Sequence, residues 1–217
     1  MDIVHLISDD KNFLYDEYVN CEDNKHKTRF ATIWKIDDAS ILKEFNYNFK
    51  KDDLEHFLKQ VIIQKRLDNY LKDYKIHDKK IFAIYKNNPK VEADYNVCLA
   101  QKLLIARDLL FQIDYLHLFN FVHKNIVVKN IFHDKLGPPA FDIEVFLNQE
   151  NEYPPEFKND KTFVFEKSFD IWMLGKFFQK ILFKNNSDSF NFLFSSMINE
   201  NSSLRESTTF YLRKIFH

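Results

Sequence analysis

The chain has 217 residues, of which 45% are hydrophobic and 29% are charged, as is typical of a folded protein with an ample apolar core. Its formal net charge of −1 provides no overall field that would favour nucleic acid or an anionic membrane, so we expect neither as a partner. Two cysteines, Cys21 and Cys98, exclude a disulfide framework but not a single bridge, and no apolar run reaches the roughly 18 residues of a membrane-spanning helix.

The first part of the chain alternates strand-like and polar segments. Residues 29–36 (RFATIWKI) and 39–45 (ASILKEF) are β-rich, and a polar Asp-Asp pair between them predicts a hairpin. Residues 52–71 change to helical spacing, with an apolar stripe and two aspartates at the start. Residues 81–86 (IFAIYK) predict a further strand. This part of the chain should therefore form a small β-rich lobe with one helix.

The remainder of the chain is mainly helical in pattern. The segment at 167–183 is apolar almost all round, which predicts a buried central helix. We predict helices over residues 98–120, 167–183, 190–198 and 206–216. The sequence thus indicates an α+β fold, with a β-rich N-lobe over residues 1–88 and a helical C-lobe over residues 89–217.

Four motifs in this order resemble the protein kinase superfamily. They are the long helix and loop of 101–134, YPPE at 153–156, FDIWMLG at 169–175, and the closing helices of 198–216. The loop sequence VHKNIVVKNI, followed by Gly-Pro-Pro, is similar to the pseudokinase domain of Janus kinases. The Pro-Pro-Glu segment is similar to that of Scy1-like pseudokinases. The resemblance implies a two-lobed protein kinase-like fold with a shortened C-lobe.

The resemblance assigns a nucleotide site to four residues. Lys43 matches the strand lysine that holds the α- and β-phosphates, and Gln60 stands where a helix Glu normally pairs with that lysine. Asn130 and Asp142 match the two magnesium ligands. Two alternatives remain open for these residues: Lys43 is an exposed strand lysine, and Asn130 and Asp142 are an Asn cap and a loop Asp.

The catalytic loop departs from the family at the position of the base. His123 matches the His of the motif, but Asn125 replaces the Asp that receives the substrate proton. An amide oxygen accepts a hydrogen bond but takes up no proton near neutral pH. Val127 also replaces a lysine that neutralises the transferring phosphate, and residues 20–29, where a glycine-rich loop should lie, contain no glycine.

Three further residues are expected to support the helical lobe. The resemblance implies an ion pair between Glu156 and Arg205, and it implies that Asp170 holds the backbone of the catalytic loop from below. Breaking one partner of such a buried pair costs on the order of 3–5 kcal/mol.

Two functions follow from these substitutions. The first is a pseudokinase that binds a kinase or signalling protein and acts as its regulator or as a decoy. The second is an atypical active Ser/Thr kinase that uses another acid, such as Glu144, to transfer the γ-phosphate of ATP. ATP with Mg²⁺ is the cofactor implied, and a chain without cofactor is the alternative. Because the N-terminus has no basic leader pattern, the sequence predicts a cytoplasmic protein, or one delivered into a host cytosol if the source is a parasite or virus.

Overall fold

The chain forms two compact units, residues 1–90 and residues 91–217. The computed structural model describes residues 25–27, 31–37, 40–45, 71–77, 80–86, 95–132, 134–136, 153–159, 164–184 and 188–216. Among these residues the first unit consists of β-strands and the second is mainly helical. The chain is therefore an α+β protein.

The first unit contains a five-stranded antiparallel sheet, with the strands in the order β1-β2-β3-β5-β4. The strands are β1 (Lys25–Lys27), β2 (Ala31–Asp37), β3 (Ser40–Phe45), β4 (Leu71–His77) and β5 (Lys80–Lys86). The hairpin predicted between β2 and β3 is present, and Asp37 pairs with Ser40 next to its turn.

Two expectations for this unit need correction. Part of the segment expected as a loop, Lys25–Lys27, is a strand that pairs with β2. The prediction of helix over 52–71 is wrong at residue 71, because Leu71 begins β4; the rest of that prediction, residues 52–70, lies outside the described residues. The strand β4 was not predicted, since LKDYKIH is rich in charged residues, as is common for a strand at the edge of a sheet.

The two faces of the sheet carry different side chains, because successive residues of a strand point to opposite faces. Trp34, Leu42 and Phe82 form a buried apolar cluster on one face. The opposite face carries Lys43, whose direct cross-strand neighbour is Ala83. Because of this alternation, the side chain of Lys43 lies on the face of the sheet opposite to the cluster of Trp34, Leu42 and Phe82.

The second unit is built on five α-helices among the described residues. They are α1 (Leu99–Leu118), α2 (Pro155–Asn159), α3 (Lys167–Phe177), α4 (Asp188–Met197) and α5 (Thr208–Phe216). A π-helical turn, Phe178–Leu182, continues α3, and two short strands, β6 (Ile131–Phe132) and β7 (Lys135–Leu136), form a hairpin after α1. All four helices predicted in this part of the chain are present.

Helix α3 is the buried centre of this unit, as its apolar pattern predicts. Every residue from Phe169 to Gly175 is buried. An aromatic cluster continues this core beyond the helix, with the Phe183 ring centroid 4.7 Å from that of Phe194 and the Phe178 centroid 5.3 Å from the same ring. Among the described helices, none is both long enough and apolar enough to cross a membrane.

Candidate functional site

The candidate site in the second unit is the loop of residues 121–130, which follows α1. Buried apolar side chains anchor this loop at both ends, with Phe121 and Val122 on one side and Ile126 and Val127 on the other. The three polar residues between them, 123–125, are therefore held against the core.

Asp170 organises the backbone of this loop from the buried helix α3. Its carboxylate is completely buried and accepts hydrogen bonds from the backbone N–H of His123 at 2.7 Å and of Lys124 at 2.8 Å. The Nε2 atom of His117 lies 3.0 Å from the same carboxylate. Because a carboxylate only accepts, Nε2 of His117 carries the proton. Three donors thus compensate a charge that would be costly to bury alone.

The loop backbone is strained at Lys124. This residue has φ of 65°, a left-handed conformation that is uncommon for a residue with a side chain. The hydrogen bond from its backbone N–H to Asp170 holds that conformation in place. The ammonium lies 5.0 Å from the centre of the Phe165 ring, and burial lowers the pKa of Lys124, an effect that the charge of Asp170 opposes.

His123 is buried and positions the next residues instead of facing solvent. Its Nδ1 accepts a hydrogen bond from the backbone N–H of Asn125 at 3.2 Å, so Nδ1 is unprotonated. The side-chain amide of Asn130 donates to the backbone carbonyl of Asn125 at 2.8 Å. The structure therefore brings His123, Asn125 and Asn130 together in one hydrogen-bonded loop.

The chemistry that this loop offers is limited by the amide at its centre. Asn125 is half-buried and is the residue at the predicted catalytic position. No group of three or more His, Cys, Asp or Glu side chains in the described part of the chain is arranged to hold a metal ion. Asp142 and Glu144 lie outside the described residues, as does Gln60.

The candidate phosphate-binding residue, Lys43, lies in β3 of the first unit. Its ammonium sits 4.9 Å from the centre of the Tyr85 ring, and burial lowers the pKa of Lys43 to about 8. Burial also raises the pKa of Tyr85. Desolvation is the only cause of the shift at Lys43, so no carboxylate among the described residues compensates its charge. The alternative of an exposed strand lysine does not describe this environment.

The expected ion pair between Glu156 and Arg205 is present in the second unit. Nη2 of Arg205 donates to Oε2 of Glu156 at 2.8 Å, and Nη1 bonds to the other carboxylate oxygen. The Nε–H donates to the carbonyl of Asn199 at 2.8 Å, and the guanidinium lies 4.8 Å from the ring of Trp172. This bidentate pair joins α2 to the loop before α5.

One residue of the site was not identified from the sequence. It is His117, the third partner of Asp170. The two residues are 53 positions apart, so no local spacing rule relates them.

The resemblance to protein kinases depends on the sequence motifs alone. No protein-family model matches the chain, and no curated protein matches it.

Proposed function

We propose that the chain is a catalytically inactive member of the protein kinase superfamily, with a two-lobed kinase-like fold and a shortened C-lobe. It acts by binding a protein partner, a kinase or another signalling protein, as a regulator or decoy. The observation that carries this proposal is the combination of an ordered loop at residues 121–130 with an amide at its centre.

The loop keeps the hydrogen bonds that position a catalytic residue. Two backbone N–H groups bond to Asp170, another bonds to His123, and the amide of Asn130 holds the carbonyl of Asn125. The residue so positioned cannot accept a proton. Loss of general-base help typically lowers a rate by about 10²–10⁴-fold, which is roughly 3–5.5 kcal/mol of barrier. A well-positioned residue without reactivity favours a binding role over transfer.

The electrostatics of the transferring phosphate are also weakened. Val127, which stands in place of the phosphate-neutralising lysine, is buried. Developing negative charge would therefore lack a cation that an active enzyme of this family supplies.

The residues around Lys43 fit the phosphate part of a nucleotide better than the base. No carboxylate in the described part of the chain compensates the half-buried ammonium of Lys43, and an anionic ligand would stabilise it, so Lys43 would hold phosphate oxygens. Asn130 and Asp142 would supply oxygen ligands to Mg²⁺, which shields the phosphate charges when bound. Ile41, opposite Tyr85 in the sheet, stands where the family usually has a small residue beside the base, and its larger side chain would leave less room for the base.

The proposal is tested by measuring phosphate transfer from labelled ATP and Mg²⁺, both to the chain itself and to Ser/Thr peptides. We expect no transfer above that of an Asp142→Asn variant. Transfer that is robust in the wild type, abolished by Asp142→Asn and retained by the half-exposed control Asp134→Asn would favour the active-kinase alternative and overturn the proposal. ATP binding without transfer, seen as a rise of the melting temperature with ATP and Mg²⁺, agrees with it.

A further inference from the structure

An uncovered apolar stripe runs along helix α1. Leu104, Phe111 and Leu118 are 48%, 57% and 72% exposed. A single exposed apolar side chain is ordinary, but a seven-residue interval returns to nearly the same face of a helix. The three side chains therefore form one line on the surface, of the kind that marks an interaction site.

Polar side chains flank this stripe in a regular way. Arg107 and Asp114 each follow a stripe residue by three positions and lie about 60° to one side of it. Asp108 and Tyr115 each follow by four positions and lie about 40° to the other side. Each flank thus carries two groups able to pair with each other across a two-fold axis.

We propose that a second copy of this chain covers the stripe, with the two α1 helices antiparallel about a two-fold axis at Phe111. Such an axis is perpendicular to both helices, and it places each flank beside the same flank of the other copy. Leu104 then faces Leu118 of the second copy, and the two Phe111 rings meet at the centre. Arg107 falls beside Asp114 of the other copy, and Asp108 falls beside the hydroxyl of Tyr115.

The graded exposure of the stripe favours the antiparallel orientation. Leu118 is the most exposed of the three side chains and Leu104 the least. Antiparallel packing pairs the more exposed leucine with the less exposed one at both ends, so the two outer layers cover the same apolar area. A parallel pair would put the two Leu118 side chains in one layer and the two Leu104 side chains in the other, and the two layers would cover unequal areas.

The charged partners are already held in place within each copy. The Oδ1 atom of Asp114 accepts from the hydroxyls of Thr208 at 2.6 Å and Thr209 at 2.7 Å. Arg107 is held on the surface of α1 by its neighbour Asp108, to which Nε donates at 2.8 Å and whose Oδ1 lies 2.8 Å from Nη2. The guanidinium can keep this pair and donate through Nη1 to Asp114 of the second copy, so little side-chain ordering is needed.

The first test is the oligomeric state of the full chain, measured by sedimentation equilibrium over a range of concentrations. We expect a reversible dimer, and Phe111→Lys should raise its dissociation constant about 30-fold or more, because two like charges would meet at the axis. The matched control is Phe192→Lys, since Phe192 is 82% exposed on α4 and outside the stripe. Circular dichroism establishes that both variants keep the wild-type fold.

A chain that is monomeric at every concentration overturns the proposal. So does a dimer that Phe111→Lys leaves unchanged, or one that Phe192→Lys weakens equally. These results do not bear on phosphate transfer, so the dimer and the proposed function succeed or fail separately.

The second test fixes the orientation by disulfide cross-linking in a Cys21→Ser, Cys98→Ser background. Equal amounts of Leu104→Cys protein and of size-tagged Leu118→Cys protein should form the mixed dimer at least tenfold faster than either forms a dimer with itself. Phe192→Cys protein should not cross-link. Faster cross-linking of each variant with itself would indicate parallel helices and overturn the proposed geometry.

Discussion

At the scale of single residues, Asp170 connects the buried helix α3 to the loop that carries Asn125. Its hydrogen-bond partners precede it by 46, 47 and 53 positions, so the interaction depends entirely on tertiary structure. The motif at 169–175 nevertheless predicted that this residue holds the loop, because the resemblance supplied the long-range pairing. Without a motif of its own, the role of His117 in the same group was not predictable.

Replacing Asp170 by Asn should destabilise the protein by about 2–4 kcal/mol. The amide has one acceptor oxygen, and its NH₂ group would face N–H donors of the loop or of His117. Urea unfolding measures the loss. Asp134→Asn, in the turn between β6 and β7, is the control and should change the free energy of unfolding by less than about 0.5 kcal/mol. Equal losses in the two variants would contradict the role assigned to Asp170.

Lys43 should lower the stability of the folded chain at neutral pH. Its pKa is about 8 in the folded state and 10.5 without burial, so the folded state loses this proton first as the pH rises. Between these values the unfolded state binds more protons, and the stability contributed at this position rises with pH. Lys43→Met should therefore be more stable than the wild type by about 1–2 kcal/mol at pH 7, after allowance for the lost contact with Tyr85.

This advantage of Lys43→Met should shrink as the pH rises from about 8 to 10.5, because the wild-type lysine becomes neutral. Urea unfolding of both proteins at several pH values measures the difference. Lys35→Met, which changes an exposed lysine on the neighbouring strand, is the matched control. A difference that stays constant with pH, or a destabilised Lys43→Met, would refute the assignment.

At the scale of elements, periodicity predicted the strands and helices whose faces are buried, and it missed features without a periodic signal. Strand β4 carries charged residues at the edge of the sheet, so its sequence shows no clean alternation. The segment 167–183 was predicted as one continuous helix. In the structure it widens into a π-helical turn at Phe178, where Phe183 N–H bonds to the carbonyl of Phe178 at 2.8 Å.

The π-helical turn has a physical consequence that no helical wheel shows. Each wide turn accommodates an extra residue, so the side chains that follow are rotated relative to a regular α-helix. Phe183 is buried against Phe194 after this rotation. The apolar pattern of residues 167–183 is nearly continuous and carries no signal for this turn, so the sequence did not predict it.

Gly175 should be required for the close packing of α3 on α4. A Cβ at this position would lie 2.7 Å from Cβ of Met197 and 2.9 Å from Cγ2 of Ile198. The higher helix propensity of alanine would stabilise the protein by about 1 kcal/mol. Overpacking typically destabilises a protein by about 1–3 kcal/mol, and because these contacts are very short, we expect overpacking to outweigh the gain. Gly175→Ala should therefore destabilise the chain by about 1–2 kcal/mol in urea unfolding.

A double-mutant cycle identifies the cause of that loss. Met197→Gly removes the Cβ that would clash, so adding Gly175→Ala to it should cost less than in the wild type by at least about 1 kcal/mol. If the two changes are additive, the contact with Met197 is not the source of the destabilisation.

At the scale of the whole molecule, the change from strand to helix patterns predicted the α+β composition and placed a boundary after residue 88. The structure divides into compact units at residue 90. The candidate site could be predicted as far as its motifs extend, which includes the loop around Asn125 and the pair of Glu156 with Arg205. The lowered pKa of Lys43 was not predictable, because it depends on how deeply Tyr85 and its neighbours bury the amine.

The second unit should fold without the first. Helix α1 packs on α5, and α3 packs on α4, so buried side chains such as Leu109, Phe169, Phe194 and Tyr211 come from elements within residues 91–217. A compact unit with its own core is the usual condition for autonomous folding. A fragment of residues 91–217 should therefore show a cooperative thermal transition by circular dichroism and dispersed methyl signals by NMR.

The Asp170→Asn change provides an internal check on that fragment. If the fragment folds as in the full chain, the change should lower its free energy of unfolding by the same amount, within about 0.5 kcal/mol, because every partner of Asp170 lies within residues 91–217. A fragment that unfolds without a cooperative transition, or that tolerates Asp170→Asn, would show that the core of this unit depends on the N-terminal residues. The loop around Asn125 would then owe its geometry to the whole chain and not to the helical unit that contains it.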